Sequence, residues 1–213
     1  MEGQAVMHGT MRKFSTKWTN RREQRRRMKA IAKSSQGNAG SRERCSEPTC
    51  TVVRAAEGYE LRLYDPFVCV CTDYEARGEG IEVLAEYMDG KNDQGVRYPS
   101  SQPLLMAHHV DRKVMKLLVA STKAVDVSTL PSSSRPDVRL DLEGGYLVAA
   151  TLFHGHATKE RVEEEYHALV RRLEADGLSI AHGVNQERYH VAQYGPLFSL
   201  KPRKNELWVR VQL

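Results

Sequence analysis

The sequence contains one stretch twice: Leu61-Arg62-Leu63-Tyr64-Asp65-Pro66-Phe67-Val68-Cys69-Val70-Cys71-Thr72 and, 79 residues later, Leu140-Asp141-Leu142-Glu143-Gly144-Gly145-Tyr146-Leu147-Val148-Ala149-Ala150-Thr151. The same offset carries Tyr74 onto Phe153 and Tyr87 onto Tyr166. Apolar character is kept between the copies, whereas the identity of the polar residues is not. The pattern indicates two copies of one packing unit, and its period is too long for a solenoid. We expect one domain of two similar halves, with a groove or cavity where they meet.

Each copy has the pattern of a strand, a helix and two further strands. Apolar and charged residues alternate over 60–63, which is the period of a half-buried strand, and 67–71 continues it after Asp65-Pro66. A short helix around 83–88 follows in the first copy, and a longer one over 156–175 in the second. In all, we expect about eight strands and two main helices. Strands of this kind pair antiparallel and can close into a barrel, with the helices outside.

Composition and charge exclude several classes of protein. The chain is 40% hydrophobic and 28% charged, which is typical of a soluble globular protein. Residues 1–50 hold 12 Lys and Arg against 4 Glu, whereas the remainder holds 20 against 23 acidic residues. Because the folded part is mildly acidic, nucleic-acid binding by the whole protein is not expected. No apolar run approaches the roughly 20 residues needed to cross a bilayer.

The first 55 residues read as a basic extension without apolar periodicity, and we expect it to be disordered in isolation. Three interpretations stay open: an organelle transit peptide ending near Val53-Arg54-Ala55, a nuclear or nucleic-acid-binding arm, and a solvated tail. A transit peptide would place the protein in a chloroplast or another organelle; otherwise it is expected in the cytoplasm. The compact domain is predicted to span 56–213.

Signals for catalysis and for metal binding are weak. The sequence has no glycine-rich phosphate loop, no nucleophile elbow and no zinc protease motif. His154-Gly155-His156 lacks a Cys or carboxylate partner at ligand spacing. His108 and His109 lie on opposite faces of a predicted strand, so one of them can face the interior. We therefore expect no catalytic residues and no metal site.

Several segments, in the right order over residues 58–213, resemble the SOUL heme-binding protein family. Gly58-Tyr59-Glu60-Leu61-Arg62-Leu63-Tyr64 resembles the opening strand of that family, and Tyr87-Met88-Asp89-Gly90-Lys91-Asn92-Asp93-Gln94-Gly95 a helix end with its turn. Val191-Ala192-Gln193-Tyr194-Gly195-Pro196 resembles the penultimate strand, and Arg203-Lys204-Asn205-Glu206-Leu207-Trp208-Val209 the closing signature. The resemblance implies an α+β fold, a distorted eight-stranded antiparallel barrel with two flanking helices, built from two strand–helix–strand–strand pseudo-repeats. It also implies binding of heme or another tetrapyrrole, without catalysis.

A heme site needs an apolar slot for the ring and cations for its propionates. The apolar face of the first helix is the predicted slot, and basic residues before the last strand are the predicted propionate partners, of which Arg203-Lys204 matches the family signature. The predicted cofactor-binding residues are Val83, Leu84, Tyr87, Met88, Lys201, Arg203 and Lys204. Asn205 and Glu206 are expected to brace the turn rather than to touch a ligand.

Two departures from the family pattern leave alternatives open. The family motif Met-Thr-x-Pro-Val is replaced by Ser100-Ser101-Gln102-Pro103-Leu104, and Leu63 stands where some members have a His proposed as an axial ligand. The first alternative is an interaction subunit of a larger assembly that has lost heme binding. The second, weaker alternative is a small-molecule hydrolase that would need Glu86, Glu206 or His190 inside the cavity.

Overall fold

The computed structural model describes residues 46–120, 127–181, 186–195 and 203–212. Two helices are present there, α1 over Arg77–Met88 and α2 over Lys159–Ala175, with a 3-10 turn at Val127–Thr129. None of the helices in these ranges is long and apolar enough to cross a membrane. The strands are β1 Cys50–Ala56, β2 Tyr59–Tyr64, β3 Phe67–Asp73, β4 Leu104–His109, β5 Lys113–Ala120, β6 Val138–Glu143, β7 Leu147–His154, β8 Ser179–Ile180, β9 Glu187–Gln193 and β10 Lys204–Gln212.

All the strands lie in one antiparallel sheet of symmetrical order. The hydrogen-bonded path is β1-β2-β7-β10-β9-β4-β5-β3-β6, and β8 pairs with β10. Without β1 and β8, every strand before residue 121 has a counterpart after it, and β4 and β9 pair at the centre of the path. The strand order therefore agrees with the prediction of two similar halves, related by an approximate twofold axis between β4 and β9.

The predicted repeat unit was one strand short. Each half has two strands before its helix, because the chain breaks at Asp65-Pro66 in one half and at Gly144-Gly145 in the other. On the side away from the other break, the neighbour changes: β2 pairs with β1 and β3 with β5, so the break begins a new strand. The described part of the chain has ten strands, against the eight predicted, because β1 and β8 add to the symmetrical set.

The two breaks lie against each other and keep one register. Leu63 of β2 is opposite Leu147 of β7, and Phe67 of β3 is opposite Glu143 of β6. The number of residues between these two pairs is therefore the same on both stretches of the chain. Between them, Gly145 N donates a hydrogen bond to Tyr64 O at 2.8 Å. Residues 59–73 and 138–154 thus form a single bent ribbon, antiparallel over its whole length.

The sheet buries both of its faces, but in different ways. On the helix face, α1 packs over β3 and β5, and α2 over β7, β8 and β10. On the inner face the buried apolar cluster contains no helical residue, yet Cys69, Cys71, Ala107 and Ala192 are 0% exposed. The cluster is shared by residues of β2, β3, β4, β5, β7, β9 and β10, so strands of the same sheet contribute to it together.

The sheet curls on itself, although its hydrogen-bonded path stays open. Lys116 of β5 and Arg210 of β10 both form ion pairs with Glu143 of β6, at the end of the path. Within the described ranges, however, the terminal strands β1 and β6 do not pair with each other. The findings support a mostly antiparallel sheet with two helices, and the predicted closed barrel of eight strands is not confirmed.

The sheet begins before the domain boundary predicted at Ala56. Strand β1 pairs with β2 along its length, from Cys50 opposite Tyr64 to Ala56 opposite Tyr59. Cleavage of a transit peptide near Val53 would therefore remove about half of β1. Residues 1–45, on which most of the predicted extension falls, lie outside the described ranges. The division into 1–55 and 56–213 stays a prediction.

We expect Gly144→Ala to destabilise the protein by about 3 kcal/mol or more. Gly144 has φ +83°, and an added Cβ would overlap the backbone carbonyl of Asp65 across the ribbon. Gly145→Ala is the matched control, because Gly145 has φ +72° but only Pro66 Cγ at 3.6 Å, so it should lose about 1 kcal/mol from backbone strain alone. Urea unfolding measures both. Equal losses of stability in the two variants would mean that the breaks at Asp65-Pro66 and Gly144-Gly145 do not constrain each other.

Candidate ligand-binding site

The helix face predicted to hold a ring is part of the core. Leu84, Tyr87 and Met88 of α1 are buried, and Val83 packs against the same cluster. The spacing that places these side chains on one helix face also aims them at the sheet beneath. Tyr87 is further held by donating a hydrogen bond from its hydroxyl to Pro131 O at 2.6 Å. A ring on this face would have to displace these side chains.

The two predicted cations that the structure describes, Arg203 and Lys204, point to opposite faces of the sheet. Lys201 is outside the described residues. Arg203 lies before β10, and its Nη1 donates to Gln193 Oε1 at 2.8 Å on the helix face. Lys204 begins β10 and points to the other side, where its Nζ lies 3.1 Å from Glu206 Oε1 and 4.4 Å from the centre of the Tyr194 ring. Of these basic residues, Arg203 therefore contributes to the helix face and Lys204 does not.

A second arginine, which the sequence did not single out, joins Arg203. Arg77 is the first residue of α1, and its guanidinium donates to the same oxygen, Gln193 Oε1. Its Nε is buried without a hydrogen-bond partner among the described residues. Burial and, next, the positive charge of Arg203 lower the pKa of the Arg77 guanidinium. We refer to Arg77 and Arg203, held by Gln193, as the arginine pair.

Buried amides fix the direction in which the arginine pair is held. Gln193 Nε2 donates to Asn205 Oδ1 at 2.9 Å, and Asn205 Nδ2 donates to Gly155 O at 3.0 Å. Both amide NH₂ groups donate hydrogen bonds to these acceptors, so the side-chain oxygen of Gln193 faces the guanidinium groups. Asn205 thus braces the chain, as predicted. At Ala76 the start of α1 also lacks a side-chain cap, although Glu79 lies in its first turn.

We refer to the part of the sheet between α1 and α2, from the arginine pair along β4 and β9, as the groove. Since α1 packs over β3 and β5 and α2 over β7 and β10, β4 and β9 lie between the helices. Its floor includes Met106 and Val191, which are buried. Half-buried rings of Tyr74, His108 and Tyr166 stand beside it. Its length is set by β4, on which Leu104 is opposite Gln193 and His108 opposite Tyr189. These four steps span about 13 Å.

His108 is the titratable side chain at the far end of the groove. Its ring stacks on Tyr189 with centroids 4.8 Å apart, and Tyr166 lies 5.0 Å from Tyr189. Burial, assisted by the charge of Lys113, lowers the pKa of His108 to about 4. The imidazole is therefore neutral at neutral pH, which is the form that binds a metal ion. His109, the next residue, belongs to the opposite side of the strand.

The inner face carries a separate set of charges that satisfy one another. Glu206 accepts hydrogen bonds from Arg62 at 2.9 Å, Trp208 Nε1 at 2.9 Å and Tyr194 at 3.0 Å. Glu187 lies 3.0 Å from His190 Nε2 and 2.9 Å from Arg210 Nε. Buried carboxylates that are matched by cations in this way hold strands together.

The residues required by the hydrolase alternative are not assembled. Glu86 is on α1 and forms an ion pair with Lys91 at 2.6 Å, whereas Glu206 and His190 are on the inner face. Glu206 forms an ion pair with Arg62, and His190 lies within ion-pair distance of Glu187. No nucleophile with an adjacent base is therefore formed from these three side chains.

The inner-face charges predict how stability responds to acid. Burial would raise the pKa of Glu187, but His190 and Arg210 outweigh it and lower that pKa from 4.5 to about 2. Because the folded pKa is the lower one, this stabilisation is complete above about pH 4.5 and is lost as pH falls toward 2. We expect Glu187→Gln to be less stable at neutral pH and to lose less stability between about pH 5 and pH 3 than the wild type.

The measurement is the free energy of urea unfolding across that pH range. Glu164→Gln serves as control, because Glu164 is an acidic residue on the exposed side of α2 with 70% of its side chain accessible. The control should keep the pH dependence of the wild type. A Glu187→Gln protein with the same loss of stability in acid as the wild type would contradict the prediction.

Solved structures with a similar fold have little sequence in common with this chain. A hydrolase from Listeria innocua matches with a TM-score of 0.51 at 12% identity, over 75% of this chain and 94% of its own. The C-terminal domain of EcmrR matches with a TM-score of 0.51 at 9% identity, over 72% of this chain and 98% of its own. At such low identity these similarities establish the fold alone. No curated protein matches the sequence.

The sequence also matches a family model, and this match covers nearly the whole sheet. It extends over residues 45–210, from before β1 into β10, and is described as SOUL heme-binding protein. The matched range includes the opening strand, the arginine pair and the closing signature around Trp208. The resemblance noted in the sequence is thereby confirmed: this chain belongs to the SOUL heme-binding protein family.

Proposed function

We propose that this protein binds heme or a related tetrapyrrole in the groove between α1 and α2, and buffers or carries it without catalysis. The observation that carries the proposal is the position of Arg77. Its guanidinium is half-buried beside a like charge, and within the described ranges no carboxylate neutralises it. An anion bound there would relieve both costs. The propionates of a tetrapyrrole are such anions.

The groove also suits the rest of the ligand. A macrocycle whose carboxylate arms reach the arginine pair would lie along β4 and β9, over Met106 and Val191 and toward His108. The stretch of about 13 Å along the strand leaves room for the carboxylate arms at the arginine pair and for the iron near His108. Neutral His108 would hold that iron. The ring would then rest on the groove floor and leave the buried Leu84 and Tyr87 in place.

Other parts of the interpretation belong to the same proposal. Lys201 precedes Arg203 by two residues and is kept as a further propionate partner. The basic N-terminal extension is proposed to direct the protein to a chloroplast or another organelle, which its composition favours.

A second candidate function is that of an interaction subunit without a ligand. It is favoured by the burial of the predicted ring face, where Leu84 is 0% and Tyr87 1% exposed. Leu63 occupies the position at which some family members have a histidine. It is 45% exposed, and its aliphatic side chain cannot bind iron. This candidate predicts that neither hemin nor metal-free porphyrin binds.

A titration of the full chain with hemin, followed in the Soret region, separates the two candidates. We expect a saturable shift at low micromolar hemin. Replacing both members of the arginine pair, as Arg77→Gln with Arg203→Gln, should weaken binding about tenfold, because two charge-assisted contacts are lost. Arg161→Gln is the control, because Arg161 is an exposed arginine of α2 paired with Glu165 at 2.6 Å.

His108→Ala tests the iron ligand independently of the carboxylates. It should change the Soret position of bound hemin and leave binding of metal-free protoporphyrin at the wild-type level, and His109→Ala should alter neither. Thermal unfolding of each variant verifies that it is folded. A linear, unsaturable response of the wild type would end the proposal in favour of the interaction subunit. If the double-arginine variant bound hemin as tightly as the wild type, the groove would not be the binding site.

A further inference from the structure

One edge of the symmetrical sheet is covered by a strand and its counterpart is not. β1 pairs with the free edge of β2 at one end of the path, and β6 ends the path at the other. The residues equivalent to β1 in the second half, 129–135, contain Pro131 and form bends and an isolated bridge of Ser133 with Asn92 rather than a strand, and the 3-10 turn Val127–Thr129 lies near β6. Among the described strands, β6 therefore pairs with β3 alone.

This edge has part of the protection that natural edge strands carry. It has charged residues, of which Glu143 is buried, but no Pro, Lys or bulge, which natural proteins also use to prevent further pairing. β6 reads Val138-Arg139-Leu140-Asp141-Leu142-Glu143, and its register with β3 has no bulge. Leu142 is 58% exposed, on the same side of the strand as Val138 and Leu140. An apolar side chain beside unpaired backbone groups marks a surface on which another strand can add.

We propose that two copies of this chain associate through β6, in an antiparallel pair with its twofold axis at Leu140. In this register Val138 lies opposite the partner's Leu142 and Leu140 opposite the partner's Leu140, so one face of the new pair is wholly apolar. On the other face Arg139 lies opposite the partner's Asp141, and the symmetry repeats this contact. The sheet then continues from one protomer into its partner.

The sequence of β6 favours a second copy over an unrelated partner. Read in opposite directions about Leu140, residues 138–142 match apolar with apolar and basic with acidic, as an isologous interface requires. Beyond them Glu143 lies opposite the partner's Asp137, but each of these carboxylates has cations of its own, Lys116 and Arg210 for Glu143 and Arg135 for Asp137. Arg139 and Asp141 are also accessible, with 44% and 47% of their side chains exposed; Arg139 contacts the exposed Asp73, and Asp141 contacts the buried Lys116 at 3.7 Å.

The repeat supplies a matched control for the exposed leucine. Leu63 is the equivalent of Leu142 and is similarly exposed, but its strand is already enclosed between β1 and β7. We expect sedimentation velocity of the full chain, from about 1 to 100 micromolar, to show a monomer–dimer equilibrium. Leu142→Lys should raise the dissociation constant about tenfold or more, whereas Leu63→Lys should leave it unchanged. A wild type that is monomeric throughout, or equal effects of the two substitutions, would overturn the proposal.

A charge exchange tests the register itself and does not depend on any single variant folding as tightly as the wild type. Arg139→Glu makes both facing positions acidic, and Asp141→Lys makes both basic. Each variant alone should be monomeric because like charges would face each other, whereas an equimolar mixture should form dimers with the wild-type dissociation constant to within about tenfold. Circular dichroism verifies that both variants are folded.

A mixture that stays monomeric while both variants are folded would refute β6 pairing in this register. Association of the wild type that survives Leu142→Lys and both charge variants would assign the contact to another surface, and would equally refute the proposal. Because β6 lies at the edge and the groove at the centre of the sheet, these results are independent of tetrapyrrole binding.

Discussion

The structure depends on the close contact between the two breaks, Asp65-Pro66 and Gly144-Gly145, at the centre of the bent ribbon. Gly144 lies directly against the carbonyl of Asp65, and Gly145 N bonds to Tyr64 O. A side chain at position 144 would separate the two breaks, and the register of β2 with β7 and of β3 with β6 could not both be kept. Through this single contact each half of the molecule supplies a strand to the other. The symmetry of the sheet follows from that exchange.

Charge is divided between the two faces in a way that separates stability from binding. On the inner face, buried carboxylates such as Glu143 and Glu206 meet cations from other strands, so the field of each charge is largely cancelled. On the helix face the arginine pair is held by a neutral amide, and Arg77 has no carboxylate among its described neighbours. Positive potential therefore remains beside an apolar groove, as an anionic, largely apolar ligand requires.

The repeat made much of the fold predictable, because packing keeps apolar positions while polar residues diverge. The helices, the central strands and the bracing role of Asn205 followed from the pattern. The second strand of each half did not, because local alternation continues across Asp65-Pro66 and does not reveal a change of neighbour. The ring face on α1 had the right residue types, but spacing cannot distinguish a face that meets a ligand from one that meets the sheet. Arg77 was missed because its role arises from a contact with Gln193, which is remote in sequence.

The exchange of strands also governs how the molecule is made. Residues 59–73 emerge from the ribosome long before 138–154, and the pairing of β2 with β7 and of β3 with β6 cannot form until the second stretch is available. Until then the apolar side chains of β2 and β3 have only part of their final surroundings. Contacts between residues so far apart in the chain slow folding. The first half therefore leaves the ribosome with exposed strands, at the stage where molecular chaperones act on nascent chains.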